Sequence, residues 1–173
     1  MSKIEAGAQL PLEIIQQLDE SYRRWTGHRL PCPASIDGSR EAWIHHHAPY
    51  SLVAHNDDAD PHFIYANECA LSCFKYSREV FCAMPSRFSA SSLDRAARQA
   101  LLEVVTAEGI ASGYTGYRVD RHGQPFMIYD GIVWEVLDAE GRRKGQAALF
   151  WPQPAPVGRF DGSDSLSGNR ACV

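Results

Sequence analysis

Asp130 is the residue in this chain whose type and position most invite chemistry. Phe126, Ile128, Ile132, Trp134 and Val136 fall two or four residues apart around it. A strand with period two would therefore set its carboxylate among apolar side chains on one face. A carboxylate there needs a cation or hydrogen-bond donors, because burying an unpaired charge is prohibitive. Arg118, Arg87 or a bound ligand could supply them. The competing reading is that Asp130-Gly131 forms a β-bulge or a turn, which aims the carboxylate at solvent. A third use of Asp130, paired with a histidine, is as the working group of a small α+β lyase or isomerase. Arg87 stands between Ser86 and Phe88-Ser89 in a predicted loop. Its planar fork of donors suits a ligand carboxylate or phosphate, and it equally suits a clamp that bonds loop carbonyls or a core carboxylate.

The seven histidines raise the question of a metal. His45-His46-His47 point in three directions on a helix, so at most two could share a site. His55 and His62 flank an acidic turn whose Asp57, Asp58 and Asp60 could complete a hard-ion site, or simply be solvated. Neither an EF-hand loop nor H-E-x-x-H spacing is present, and no metal is expected. The five cysteines include no C-x-x-C pair, which gives neither a disulfide framework nor a zinc ribbon. Cys69 and Cys73, one helical turn apart, read as small core hydrophobes. No G-x-S-x-G, P-loop or G-x-G-x-x-G occurs, so no catalytic residue and no enzymatic activity are expected.

The 173 residues carry a formal net charge of −4, which leaves no basic footprint for nucleic acid. No apolar run approaches the roughly 20 residues of a membrane helix, and the N-terminus lacks a signal-peptide core. A cytoplasmic setting is expected.

The elements that must position these groups follow from period and punctuation. Leu12, Ile15, Leu18, Tyr22 and Trp25 make one apolar stripe on an N-terminal helix that Gly27 stops. The stripe either packs on the protein's own core or forms a homodimer, a role the outer sheet face could also take. Pro31 and Pro33 stiffen a linker, Ser39 caps a short helix carrying Trp43 and Ile44, and residues 50–74 read as strand, acidic turn, strand and helix. Asn67 is the N-cap of that helix. A helix over 93–108 is stopped by Gly109. Strands over 114–119, 126–137 and 146–151 are joined by two turns, Asp120–Gly123 and Asp138–Gly141, both with type I chemistry. The division is an N-terminal helical extension (1–49), a core (50–151) and a disordered tail (152–173). The fold predicted is α+β: a five-stranded antiparallel sheet with helices on one face, plus the N-terminal amphipathic helix.

This order of elements resembles the PAS fold, a sensory and interaction module. The residues are closer to the MEKHLA family, a PAS-related domain of small bacterial proteins and of plant homeodomain–leucine zipper regulators. The likeness is carried by Ala48-Pro49-Tyr50, His55-Asn56, Asp60-Pro61, Phe63-Ile64-Tyr65-Ala66-Asn67, Pro85-Ser86-Arg87-Phe88-Ser89-Ala90, Tyr114, Gly116-Tyr117-Arg118, Phe126-Met127-Ile128, Val133-Trp134 and Gly145-Gln146-Ala147-Ala148. It runs from about residue 12 to 151. The resemblance implies a sensor or interaction domain and supplies neither a catalytic residue nor a defined ligand. The flavin photoreceptor branch of PAS proteins carries its reactive Cys in a Gly-Arg-Asn-Cys-Arg-Phe string; here the nearest string is Pro-Ser-Arg-Phe, which disfavours adduct photochemistry. Haem is disfavoured because residues 93–108 contain no histidine. The cofactor is left open. The pocket expected between the helices and the inner sheet face is lined by Tyr65, Asn67, Arg87, Phe88, Leu101, Ile128, Asp130, Ile132 and Trp134, and it would take a small molecule. A protein-interaction module with a filled core is the alternative.

Overall fold

Two turns of one design fix the C-terminal half. Asp120 Oδ1 accepts from the amides of His122 and Gln124, at 2.8 and 3.0 Å. Asp138 Oδ1 accepts from those of Glu140 and Arg142, at 3.0 and 2.8 Å. Gly123 and Gly141 close the turns at φ +72° and +81°, a left-handed conformation that strains any side chain. The turns join β3 (Ile110–Val119), β4 (Pro125–Leu137) and β5 (Arg143–Trp151) into a meander, as the Asp-x-x-Gly spacing predicts.

The structure, a computed structural model, describes residues 10–154. Its N-terminal hairpin consists of β1 (Ser51–Asn56) and β2 (Phe63–Ala66). β1 docks antiparallel beside β5, with Leu52 opposite Leu149 and Val53 opposite Ala148. The result is one antiparallel sheet in the order β2-β1-β5-β4-β3.

Alternation along the strands gives the sheet two apolar faces, and both are covered. The inner face carries α3 (Glu68–Phe74), α4 (Arg78–Phe81), two 3-10 turns (Ser86–Ser89 and Ser92–Asp94) and α5 (Arg95–Glu108). Asn67 and Ser77 cap α3 and α4 by accepting from the amides of Ala70 and Val80. Beneath them Phe63 stacks on Phe81 at 4.2 Å, and Phe74 meets Phe126 edge-on at 5.1 Å.

The outer face is closed by α1 (Leu12–Thr26) and α2 (Arg40–His46). Ile15, Leu18 and Tyr22 are wholly buried, in one cluster with Trp134, Val136 and Leu149. The Tyr22 ring stands edge-on to Trp134 at 5.0 Å. Ser21 Oγ donates to the Leu137 carbonyl at 3.2 Å, and Trp25 Nε1 to that of Glu135 at 2.8 Å. At about 1.5–3 kcal/mol for each large apolar side chain fully buried, the three residues contribute roughly 5–9 kcal/mol. That is comparable with the roughly 5–15 kcal/mol net stability of a domain. The stripe on α1 therefore serves the protein's own core, and Ile15, Leu18 and Tyr22 are not available as a dimer surface. Leu12, 42% exposed, lies at its edge, and Trp25 packs against the same cluster.

Asp19 ties the linker to α1. Its buried carboxylate accepts from the Leu30 amide at 2.7 Å and from Arg40 at 3.0 Å, and it pairs with Arg29 at 2.9 Å. Residues 10–49 thus share one core with the sheet. Among the described residues no helix is long and apolar enough to cross a membrane. The tail expected from residue 152 lies, beyond 154, outside the described residues.

Candidate functional site

Two one-residue bulges decide which side chains meet. On β2, Tyr65 pairs with Ala54 and Phe63 with His55, which leaves Ile64 as the extra residue. On β4, Tyr129 pairs with Trp151 and Ile132 with Leu149, three steps against two. Each bulge reverses the alternation beyond it. Phe63 faces α3 and α4, whereas Tyr65 faces the opposite layer. Likewise Phe126 and Ile128 face inward, whereas Ile132, Trp134 and Val136 face α1. Tyr65 and Trp134 therefore do not line the expected pocket, and Ile132 lies instead in a recess between α5 and the end of α1.

Asp130 is the bulged residue itself, with φ +51°, an exposed side chain and an amide that donates to Thr115 Oγ1 at 3.3 Å. Its place is on the surface, outside the inner cavity that a lyase or isomerase built on Asp130 and a histidine would use. Asn67 is buried but fully engaged. Its Oδ1 accepts from the amides of Leu52 and Ala70, and its Nδ2 donates to the carbonyls of Ile44 and Tyr50, all at 3.0–3.1 Å. With those bonds made, the side chain holds β1, α2 and α3 together and has nothing left for a ligand. Arg87 is exposed, paired with Asp60 at 3.1 Å and lying over the exposed Phe88 ring at 4.5 Å. It clamps the β1–β2 loop. Of the nine expected pocket residues, Leu101 and Ile128 alone line the inner cavity.

That cavity, about 80 Å³, lies between the inner sheet face and α5. Val53, Phe63, Ile128 and Phe150 wall it from below, and Leu101 and Leu102 from above. Its polar lining consists of Arg98 on α5, Arg118 and Tyr114 on β3, His55 on β1, Gln146 on β5 and Ser86. Arg118 donates to Ser89 Oγ. Burial and then the neighbouring charge of Arg98 push Arg118 down to about 9, with Asp94 opposing. Burial also lowers Arg98. His55 is lowered chiefly by burial, against the pull of its bond to the Asn56 carbonyl, with Arg98 adding to the fall. The site is thus apolar, small and electropositive.

Sequence reasoning missed this polar set for two reasons. From sequence Arg118 reads only as a partner for Asp130, which the bulge removes. Arg98 stands at i−3, i−4 and i−7 from Leu101, Leu102 and Val105. That spacing marked it as sharing their face, but a charge on a helix is usually assigned to solvent.

The other candidate groups lie elsewhere. The acidic turn is taken up locally: Asp57 pairs with Arg143, Asp58 accepts from Asn56 and Asp60 binds Arg87. Cys69 and Cys73, both half-buried, sit over β1, where Ser51 Oγ lies 3.6 and 3.5 Å from their sulfurs and can donate to one at a time. His45, His46 and Glu68 bring their ligand atoms within 4.8 Å of one another. Arg78, however, already donates to Glu68 at 3.1 Å, which places a cation where a metal would need an anion. His45 Nδ1 lies 3.0 Å from the Tyr65 hydroxyl.

A sheet in this order with helices roofing an inner cavity defines a PAS-like domain. Solved structures of that class match it. A PAS domain from Colwellia psychrerythraea aligns with TM-score 0.55 and 13% identity, covering 64% of this chain and 92% of that one. The light-state dimer of the fungal blue-light photoreceptor Vivid gives TM-score 0.56 and 14% identity, covering 87% and 99%. The LOV domain of a blue-light activated histidine kinase from Erythrobacter litoralis EL346 gives 0.51 and 19%, covering 60% and 94%. The family model of the MEKHLA domain matches residues 12–152, and the chain belongs to that family. No curated protein matches it in sequence.

Proposed function

We propose that this chain is a sensory or regulatory domain that receives a small molecule in the cavity beneath α5 and has no catalytic activity of its own. The observation that carries the reading is the cavity itself: an apolar chamber on the inner face of a PAS-like sheet, with a few converging polar groups. Occupancy would act on α5, in which Val105 is the one buried residue. So lightly packed an element is readily shifted by a bound molecule. The state would pass to a protein partner or a second copy, in the cytoplasmic setting expected from the sequence.

Native mass spectrometry of protein purified from its own host tests this. The expected result is a retained small molecule, absent from an Ala148→Phe variant whose cavity is filled. Masses equal to the bare chain in both proteins, together with a melting temperature unmoved by a metabolite panel, overturn ligand binding. They would favour the second reading, a protein-interaction module. That reading draws on the exposed apolar side chains of Val104 (41%) on α5 and Leu93 (66%) in the turn that precedes it.

A further inference from the structure

We propose that the molecule this cavity receives is a compact organic acid, its carboxylate held between Arg98 and Arg118 and its apolar body against Val53, Phe63, Ile128 and Phe150. The inference rests on the ligand-binding reading above and adds the chemical class.

The two guanidinium groups arrive from different elements, α5 and β3, and line one cavity. Among the described residues neither forms an ion pair, although nine other Lys and Arg side chains do. The acid whose charge reaches Arg118 is Asp94, and its Oδ2 already accepts from the Tyr114 hydroxyl and the Tyr117 amide. At the cavity's other end Glu135 pairs with Arg143 at 2.7 Å and accepts from Gln146 at 3.1 Å. The nearby acids are therefore committed elsewhere. Two like charges sharing an apolar chamber repel each other and lose hydration, a cost that the charge of Asp94 offsets only in part. One carboxylate between them relieves both terms and can accept two parallel N–H bonds from a guanidinium fork. Burial keeps His55 neutral, so it adds a hydrogen-bonding group without adding to that charge. The volume of about 80 Å³ admits a short aliphatic or single-ring body and is well below the roughly 300–1,000 Å³ of drug-sized sites.

The test is a thermal-shift and calorimetric titration of the full chain with sodium butyrate, benzoate and phosphate, and with butyramide and benzamide as uncharged counterparts. Butyrate or benzoate is expected to raise the melting temperature and the amides to leave it unmoved. Arg118→Gln and Arg98→Gln are each expected to weaken acid binding at least tenfold, whereas Arg87→Gln on the surface leaves it unchanged. If Arg118→Gln fails to fold, the half-exposed Arg98→Gln and the loss of affinity with added salt carry the test. Amides binding as well as acids, or unchanged affinity in Arg98→Gln, overturns the anionic class while leaving a ligand pocket. Response to phosphate alone overturns the carboxylate. Failure of every probe to bind, with no molecule retained by host-purified protein, overturns both this inference and the reading beneath it.

Discussion

The indole of Trp25 occupies the space into which a side chain at Gly109 would project. Gly109 ends α5 at φ +84°. Its carbonyl accepts from the Glu135 amide at 2.9 Å, and the Glu135 carbonyl accepts from Trp25 Nε1 at 2.8 Å. The ends of α1 and α5 thus meet at one place on β4.

Gly109→Ala meets two penalties together, the left-handed backbone and the collision with the indole. The expected loss is roughly 3–5 kcal/mol. Gly38→Ala, at φ +81° with open space around it, is expected to lose about 1–2 kcal/mol. Urea denaturation of the two variants measures the difference, and equal losses would remove the Trp25 contact from the account.

Asn67→Ala leaves two amides and two carbonyls without partners in a buried setting. About 3 kcal/mol or more should be lost. Asn67→Asp keeps an acceptor but no donor for the Ile44 and Tyr50 carbonyls, and is expected to fall at least as far near neutral pH. Denaturation midpoints at pH 7 measure both.

Much of the fold was legible in the sequence because turns and caps are local chemistry. The Asp-x-x-Gly turns, the Asn67 and Ser77 caps and the helix stop at Gly109 each depend on a few adjacent residues. The site was less legible because a bulge is a property of pairing. Nothing within residues 126–136 states that Tyr129 and Ile132 will sit opposite neighbours only two residues apart on β5. A strict period of two therefore carried Trp134 and Ile132 to the wrong face. Asp130-Gly131 did signal the irregularity, and reading it as a phase reversal would have moved both residues at once. For α1, the stripe was readable and its cover was not, since an amphipathic face says what is apolar and not what lies against it.

Leu18→Ala is expected to cost about 2–5 kcal/mol and Leu12→Ala under 1 kcal/mol. Deleting residues 1–26 should leave a chain without cooperative unfolding. A truncated chain that melts like the full one would show that α1 is a detachable arm. Differential scanning calorimetry of the three proteins decides it.

His45 is pushed down from 6.5 to about 4 by burial first, then by Arg78 and His46, with Glu68 opposing. Its folded pKa lies below its unfolded one, so the unfolded chain binds the extra proton between those values. The stability this group confers is present above pH 6.5 and is lost as pH falls toward 4, by about 3 kcal/mol at full separation. His45→Asn should flatten that slope in stability measured from pH 7 to 4. An unchanged slope would assign it to other groups.

Arg87→Ala removes an exposed ion pair and is expected to cost under 1 kcal/mol. Calorimetric affinity for any cavity ligand should be unchanged. A large loss of affinity would return Arg87 to the binding site.

The meeting of Trp25 with Gly109 has a mechanical consequence. α5 roofs the cavity on one side of the sheet and α1 lies on the other, yet the last turn of α5 abuts the last turn of α1 around one strand. On the ligand-binding reading, a molecule that lifts the roof would load the contact between that indole and Gly109. Its effect would then be felt on the face that α1 covers.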